Sequence, residues 1–429
     1  MAQKTEMSAA RPMSLDEQVG FLMKGTRYGD PDLERTMRDE LRDRLVDARR
    51  SDRPLRVYCG FDPRTSDLHI GHTVPIRKLR AFQDLGHDVV FLVGTFTSLI
   101  GDPSDKDEAR KRLTLKEALE NGRTYAEQAC QLLERSLTEV RFNHDWLSEL
   151  TFEEVIELAS HFTVQQFMNR DNFRKRKQIG EAIFLHETFY AVMQAYDAFV
   201  LDADVQIGGT DQLFNIVTAS RKLMTELGKK PNIPIILDIL PGTDGEQKMS
   251  KSLRNHIPIL SPPEDMYGKV MSIPDKAMRS YFDLVTPLTP AEIDEVFRLL
   301  AKGELHPMNA KMRLAKEIVG VYHDNKEAEQ AEEYFASVFR SGETPAEIPE
   351  TVVSPGTNIV DLIVESGLET GRAEIRRLIS QGAVRLGGIR ITDHRTTVSQ
   401  VSTATDEILR VGKRKFSRIA VRTSSEEAL

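Results

Sequence analysis

Three groups of residues in this chain are spaced for chemistry. His69, Gly71 and His72 close the stretch Leu55–His72, LRVYCGFDPRTSDLHIGH. Imidazoles three residues apart share one helix face, and the glycine between them removes the Cβ that would keep a flat ligand away. At a helix N-terminus, free N–H groups and a partial positive charge attract anions. Much later, Lys248-Met249-Ser250-Lys251-Ser252 supplies two ammonium groups. The chain contains neither GxxxxGK[ST] nor GxGxxG, so a phosphate would be held without a Walker A lysine. The third group is Tyr190, Gln194 and Asp197, at i, i+4 and i+7 in the otherwise apolar Ile183–Leu201. Burying an amide and a carboxylate costs several kcal/mol unless each finds a partner, so a polar stripe on a buried helix points to a pocket.

The elements that must position these groups read as alternating strands and helices. Leu55, Val57 and Phe61 form a buried-strand pattern stopped by Asp62-Pro63. Ser66 or Asp67 is the expected N-cap of a helix that runs to about Leu85, with Gly86 as its stop. Pro75 stands against the carbonyl of Gly71 inside that helix. Val89–Val93 is a second strand, leading to Gly101-Asp102-Pro103, where Asp102 is either a turn former or a ligand group. Lys106, Arg110, Lys111 and Arg112 follow, as a flap over phosphates or as exposed loop. Helices are expected to dominate from Arg123 to Gln178. The basic run Met168–Lys177 within them is a solvated face or an RNA-facing surface. Asp204–Ile207 is a strand ending in Gly208-Gly209-Thr210-Asp211-Gln212. Its glycines admit a ligand, and Asp211 there is a helix cap or an acceptor of ribose hydroxyls. Ile233–Leu240 is the last strand of this body, and helices return from Ser261 to Phe339.

The chain has 429 residues, which suggests two or three domains, and a net charge of −8, which argues against indiscriminate nucleic-acid binding. Cys59 and Cys130 fit neither a metal site nor a disulfide framework. No signal-peptide pattern or membrane-length apolar run is present, and the expected location is the cytoplasm. Residues 1–13 read as disordered, and Leu15 to Arg50 as charged helix. Ser341–Gly356 reads as a linker. Beyond it, Ile359–Ile363 and the basic Gly371–Gly382 read as helices, and Ala383–Ile391 as a hairpin with its glycines at the turn. Six basic residues and no acid lie between Arg410 and Arg422. Positive charge gathered in one small domain of an acidic protein is the footprint of RNA binding.

HIGH followed by KMSKS is the signature pair of class I aminoacyl-tRNA synthetases. With YCGFDP, GDPS, the Tyr-x3-Gln-x2-Asp helix, QIGGTDQ and a tail similar to S4 RNA-binding domains, the chain resembles the bacterial-type tyrosyl-tRNA synthetases from about Leu55 onward. The resemblance implies an α/β fold. A Rossmann-like parallel-sheet catalytic domain would span 51–255, with a helical dimerisation insertion at about 123–178. An N-terminal helical segment (1–50), a helical domain (256–340), a linker (341–356) and a small α+β S4 domain (357–429) would complete it.

It implies activation of L-tyrosine by ATP, with Mg2+ accompanying the nucleotide and no protein-held metal, then transfer to tRNA(Tyr) by a homodimer. Tyrosine would be held by Tyr58, Asp102, Tyr190, Gln194, Asp197 and Gln212. ATP would be met by Cys59, Gly60, Asp62, Gly71, Gly209, Asp211, Met249 and Ser250, beside the catalytic His69, His72, Lys248, Lys251, Lys106 and Arg110. The tRNA would be met by Arg372, Arg376, Arg377, Arg385, Lys413, Arg414 and Lys415. One departure stands out: the family commonly has Thr where this chain has Arg64. Two other readings compete. A tryptophanyl-tRNA synthetase shares the fold, and a non-catalytic RNA-binding protein could keep a decayed synthetase body.

Overall fold

The computed structural model describes residues 13–64, 67–103, 113–340, 350–354, 356–401, 406–412 and 415–421. They form two compact units, Met1–Ser261 with Ser272–Tyr322, and Pro262–Met271 with His323–Leu429. This differs from the division expected at 256 and 341. The helices between 272 and 322 belong with the sheet body, and the Asn325–Arg340 helix packs on Pro263–Met271 in the other unit.

The first unit is built on a parallel sheet of β1 (Arg56–Phe61), β2 (Asp88–Val93), β3 (Thr138–Phe142), β4 (Val205–Gly209) and β5 (Ile233–Leu237), in the order β3-β2-β1-β4-β5. Val, Ile, Leu and Phe fill β2 and β5 because helices cover both faces of such a sheet. β3 was not expected; the insertion taken as helical contributes an edge strand. Its side chains are half-buried or exposed, so it carries no continuous apolar run.

The chain leaves β1 toward β2 on one side and returns to β4 on the other. The crevice at the carboxyl ends of β1 and β4 is therefore the switch point, where ligands bind in sheets of this kind. The other end is locked by Asp204, which accepts from Arg44 at 2.7 Å, Arg53 at 2.9 Å and the Arg56 N–H at 2.9 Å. The helices Leu15–Met23 and Pro31–Ser51 belong to the same body. Tyr28 donates to the Pro234 carbonyl at 2.6 Å, and the Lys78 ammonium donates to the Leu22 and Lys24 carbonyls at 2.9 and 2.8 Å.

The second unit carries a mixed sheet, β6 (Glu350–Val353), β7 (Val384–Leu386), β8 (Ile389–Ile391), β9 (Asp406–Val411) and β10 (Lys415–Val421), ordered β6-β10-β9-β7-β8. The expected hairpin is β7–β8, turned by Gly387 and Gly388 at φ +56° and +82°. Part of the expected linker is strand: β6 pairs in parallel with β10. Helices Ile359–Glu365 and Arg372–Ser380 bury Leu362, Ile363, Ile375 and Ile379 with Val384, Leu386 and Leu409.

Candidate active site

The switch point opens into a cleft of about 920 Å³. Tyr58, Cys59 and Gly60 of β1 line it, with Asp62 just beyond the strand and His69, Gly71 and His72. Asp102, Tyr190, Gln194 and Asp197 line it too, and so do Gly209, Asp211, Gln212 and Lys248 through Lys251. The expected residues, spread in sequence from Tyr58 to Lys251, are thus brought together. Lys106 and Arg110 lie outside the described residues, as do Lys413 and Arg414.

The deep end is a chain of polar side chains. Tyr190 donates to Asp62 at 3.2 Å, and Thr97 donates to the other Asp62 oxygen at 2.7 Å. Asn143 donates to Thr97 at 3.1 Å and to Asp197 at 3.2 Å, and the Trp146 indole N–H donates to Asp197 at 2.8 Å. Tyr58, expected beside Asp197 at the phenol end, donates to the Gln194 main-chain carbonyl at a long 3.5 Å. The Gln194 side-chain oxygen is buried with no hydrogen-bond partner among the described residues. Asp102 accepts from Gln212 at 2.6 Å, and Asn215 orients Gln212 at 2.9 Å from the start of a π-helical turn, Phe214–Ser220.

Asp197 is 2% exposed, and burial pushes its carboxyl up to about 7 against the donation from Trp146 and Asn143. Burial likewise pushes Asp62 up to about 6, with Arg64 and the Thr97 and Tyr190 hydroxyls pulling the other way. The Arg64 guanidinium itself stands against Gly101, whose φ of +84° suits glycine.

The sign of the pH effect follows. An unfolded aspartate loses its proton near pH 4, whereas folded Asp197 keeps it to about 7. The stability this carboxyl contributes is complete below about pH 4 and lost as pH rises toward 7. The melting temperature of the parent, relative to an Asp197→Ala variant, should fall over that range and level off above it. A difference that is flat with pH would assign Asp197 an ordinary titration.

The rim is cationic. His69 caps the Ile70–Asp84 helix, displacing the expected cap at Ser66 or Asp67. A long-range bond sets that start: the Ile70 N–H goes to the Ile257 carbonyl at 2.9 Å. The His72 N–H goes to the His69 carbonyl at 2.9 Å, so the helix end offers an anion fewer free N–H groups than expected. The imidazoles take over that role. The rings stack at 3.7 Å, and the His69 main-chain N–H donates to His72 Nδ1 at 3.3 Å, which leaves the His72 proton on Nε2. Burial, then His72, His256, Lys251 and Lys248, hold His69 well below the usual histidine range, so it is neutral. A Cβ on Gly71 would lie 3.0 Å from His69 Nδ1 and 3.4 Å from Met249, so the glycine keeps the two signature segments in contact.

Lys248 reaches Asp211 at 2.7 Å and Lys251 reaches Asp67 at 3.3 Å. Both pairs are partly exposed, and such pairs are worth about 0–1 kcal/mol, so an incoming anion can displace them.

Sequence reasoning missed Thr97, Asn143 and Trp146, which orient the Asp62 and Asp197 carboxyls. The only available signal was that Trp146 is the chain's single tryptophan. It also missed Arg170, read as part of a solvated or RNA-facing run. Arg170 is 5% exposed, with its guanidinium over the Phe173 and Phe214 rings at 5.2 and 5.0 Å.

Residues 50–340 match the family described as tRNA synthetases class I (W and Y), which leaves two amino acids open. Residues 342–419 match the tyrosine–tRNA ligase SYY-like C-terminal domain. The chain is 44% identical to the tyrosine–tRNA ligase of Moorella thermoacetica over 406 residues, 94% of this chain and 97% of that one. The chain belongs to the tyrosine–tRNA ligases. The Thermotoga maritima ligase is also 44% identical, over 95% of this chain and 98% of its own. The Archaeoglobus fulgidus tyrosyl-tRNA synthetase complexed with L-tyrosine shares the fold, with a TM-score of 0.58 at 20% identity, over 74% of this chain and all of that one. Tyrosine ligases thus match this chain at 44% identity over nearly the full length of both, and the tryptophan reading falls away.

Proposed function

We propose that the deep end of the cleft holds L-tyrosine and its cationic rim holds the phosphates of MgATP. The observation that carries this is Asp197, a buried carboxylate fixed by Trp146 and Asn143 beside the unpartnered Gln194 oxygen. The substrate phenol donates to Asp197 near Tyr58. The substrate ammonium is met by Tyr190, Gln194 and Asp102, with Gln212 orienting Asp102. Asp62 supports Tyr190. The tyrosine carboxylate attacks the α-phosphate and pyrophosphate leaves; no protein nucleophile is required. Lys248, Lys251 and the N–H donors of His69 and His72 stabilise charge that builds on the phosphates. Cys59, Gly60, Gly71, Gly209, Asp211, Met249 and Ser250 border the nucleoside, and Mg2+ arrives with ATP. Lys106 and Arg110 are assigned to the same phosphates.

The activated tyrosine passes to the 3′-terminal adenosine of tRNA(Tyr). Arg372, Arg376, Arg377, Arg385 and Lys415 are exposed and are assigned to that partner, as are Lys413 and Arg414 from the sequence alone. Several are held by acids: Arg377 chelates Glu374, Arg372 meets Asp361 at 2.7 Å, and Lys415 meets Glu369 at 3.3 Å. The working form is a cytoplasmic homodimer. Phe152, Ile156, Val164, Ile179, Phe184 and Leu185 are exposed apolar residues of the 123–185 region, the kind of surface that a second copy covers.

Pyrophosphate exchange with each of the twenty amino acids tests the reading, and exchange should depend on tyrosine alone. A chain ending at Arg340 should keep that exchange and lose tRNA charging by about a hundredfold or more, since the removed segment supplies phosphate-neutralising cations. Absence of exchange would leave an RNA-binding protein. Full charging by the shortened chain would remove the RNA role of residues 350–421.

A further inference from the structure

Both rim lysines stand on a loop, and a loop does not by itself hold an ammonium in place. The Pro241–Ser252 turn is closed at its base by the Met249 N–H on the Leu240 carbonyl at 3.3 Å and the Gly242 N–H on the Gln247 carbonyl at 2.7 Å. Its interior is organised by one side chain. Asn255, 4% exposed, accepts from the Ser250 N–H at 2.8 Å and donates to the Lys248 carbonyl at 3.3 Å and to Asp244 at 2.5 Å. The Asn255 main-chain carbonyl accepts from the Thr243 N–H at 2.8 Å. Asp244, in turn, accepts the N–H groups of Glu246 and Gln247 at 2.8 and 2.9 Å. One amide thus ties together both flanks of the Lys248–Ser252 segment. Arg254 sits at φ +55°, a strained value for a residue with a side chain, and this turns the chain so that Asn255 faces back into the loop. A Cβ on Gly242 would come within 2.7 Å of the Asn255 Cβ, so the packing there tolerates nothing larger.

We propose that Asn255 and Asp244, neither of which lines the cleft, are positioning residues that clamp the Lys248–Ser252 loop and so place both ammonium groups over the reacting phosphates. The proposal rests on the reading of the rim as the phosphate end, but the clamp has a readout independent of it. In Asn255→Ala the Ser250 N–H and the Asp244 carboxylate lose their common partner. Tyrosine-dependent exchange should slow by roughly tenfold or more, the coupling that neighbouring groups of one network show, with the KM for ATP raised. The tyrosine dissociation constant should stay within about twofold, because the deep end does not touch the clamp.

Asn255→Asp sets two carboxylates against each other and should slow exchange as much. Combining it with Asp244→Asn restores a donor facing an acceptor, and should recover most of the lost rate. In the folded full-length chain, trypsin should cut after Lys248, Lys251 or Arg254 several times faster in Asn255→Ala than in the parent, whatever either protein catalyses. The proposal is overturned if cleavage is unchanged, or if the exchanged pair is no better than its worse single variant. It is also overturned if tyrosine binding falls in step with the exchange rate. The parent's own exchange reports on the cleft assignment, and the ratio of variant to parent reports on the clamp.

Discussion

Replacing Lys251 by alanine lowers the rate of tyrosyl-adenylate formation by roughly 10²–10³-fold, the usual loss for one preorganised group facing transition-state charge. Tyrosine binding is nearly unaffected. The Lys251 side chain is 23% exposed and its ammonium sits 3.3 Å from Asp67, close enough to His69 to help keep that imidazole neutral. A weak pair of this kind is a parked charge. The ammonium gains most when negative charge grows on the leaving pyrophosphate, so its loss appears in the chemical step. Lys251→Arg should restore part of the rate, because charge is kept while the compact point contact is not. Pre-steady-state adenylation with tyrosine titration separates the two terms. If the rate held and the tyrosine dissociation constant rose instead, Lys251 would belong to the other end of the cleft.

The difference between those two ends also explains what was legible in the sequence. β1, β2 and β5 were readable as mainly apolar stretches bounded by turn residues, and β4 as a short stretch ending in a Gly-Gly turn. β3 was not: TEVRF on the sheet edge is only five residues long with no continuous apolar run, and its pairing with β2 makes it a strand. β6 was hidden in the same way within a Pro-bearing segment and depends on β10, more than 60 residues later. The cap at His69 defeated a local rule, since a contact from Ile257 outweighed the better capping side chains nearby. The site divides likewise. Tyr190, Gln194 and Asp197 announced themselves by helical spacing against an apolar background. Thr97, Asn143 and Trp146 share no period with them, and the hydrogen bonds to Asp197 span 51 and 54 residues. Asn255 carries no spacing signal either; its importance lies wholly in its bonds.

Those bonds make Asp197 the place where one hydroxyl can be read. Tyrosine and phenylalanine differ only there, and an apolar pocket would separate them poorly. A site with a buried acceptor that requires the hydroxyl rejects phenylalanine, because binding it strands that acceptor. Tyrosyl-tRNA synthetases are themselves the standard illustration of the effect, and the structure supplies the atoms. Trp146 donates to one Asp197 oxygen and Asn143 to the other, so the carboxylate already has a donor on each side and cannot turn away from the cleft. In Asp197→Ala, assayed above pH 7 where the parent carboxyl is ionised, a charge-assisted hydrogen bond worth about 1.5–3 kcal/mol is lost from the bound phenol, so kcat/KM for tyrosine should fall by roughly ten- to 150-fold. The deserted Trp146 and Asn143 donors should add to the loss, while the KM for ATP should change little.

Phenylalanine should fare no worse in that variant than in the parent, so the preference for tyrosine should collapse. Tyr58→Phe removes only a neutral group whose present bond is 3.5 Å long. It should narrow the tyrosine-to-phenylalanine ratio by about two- to twelvefold, the worth of an ordinary hydrogen bond. Pyrophosphate exchange with the two amino acids measures both ratios. If a folded Asp197→Ala variant still favoured tyrosine as strongly as the parent, Asp197 would serve only to hold Trp146 and Asn143 in the core, and the phenol would be read elsewhere.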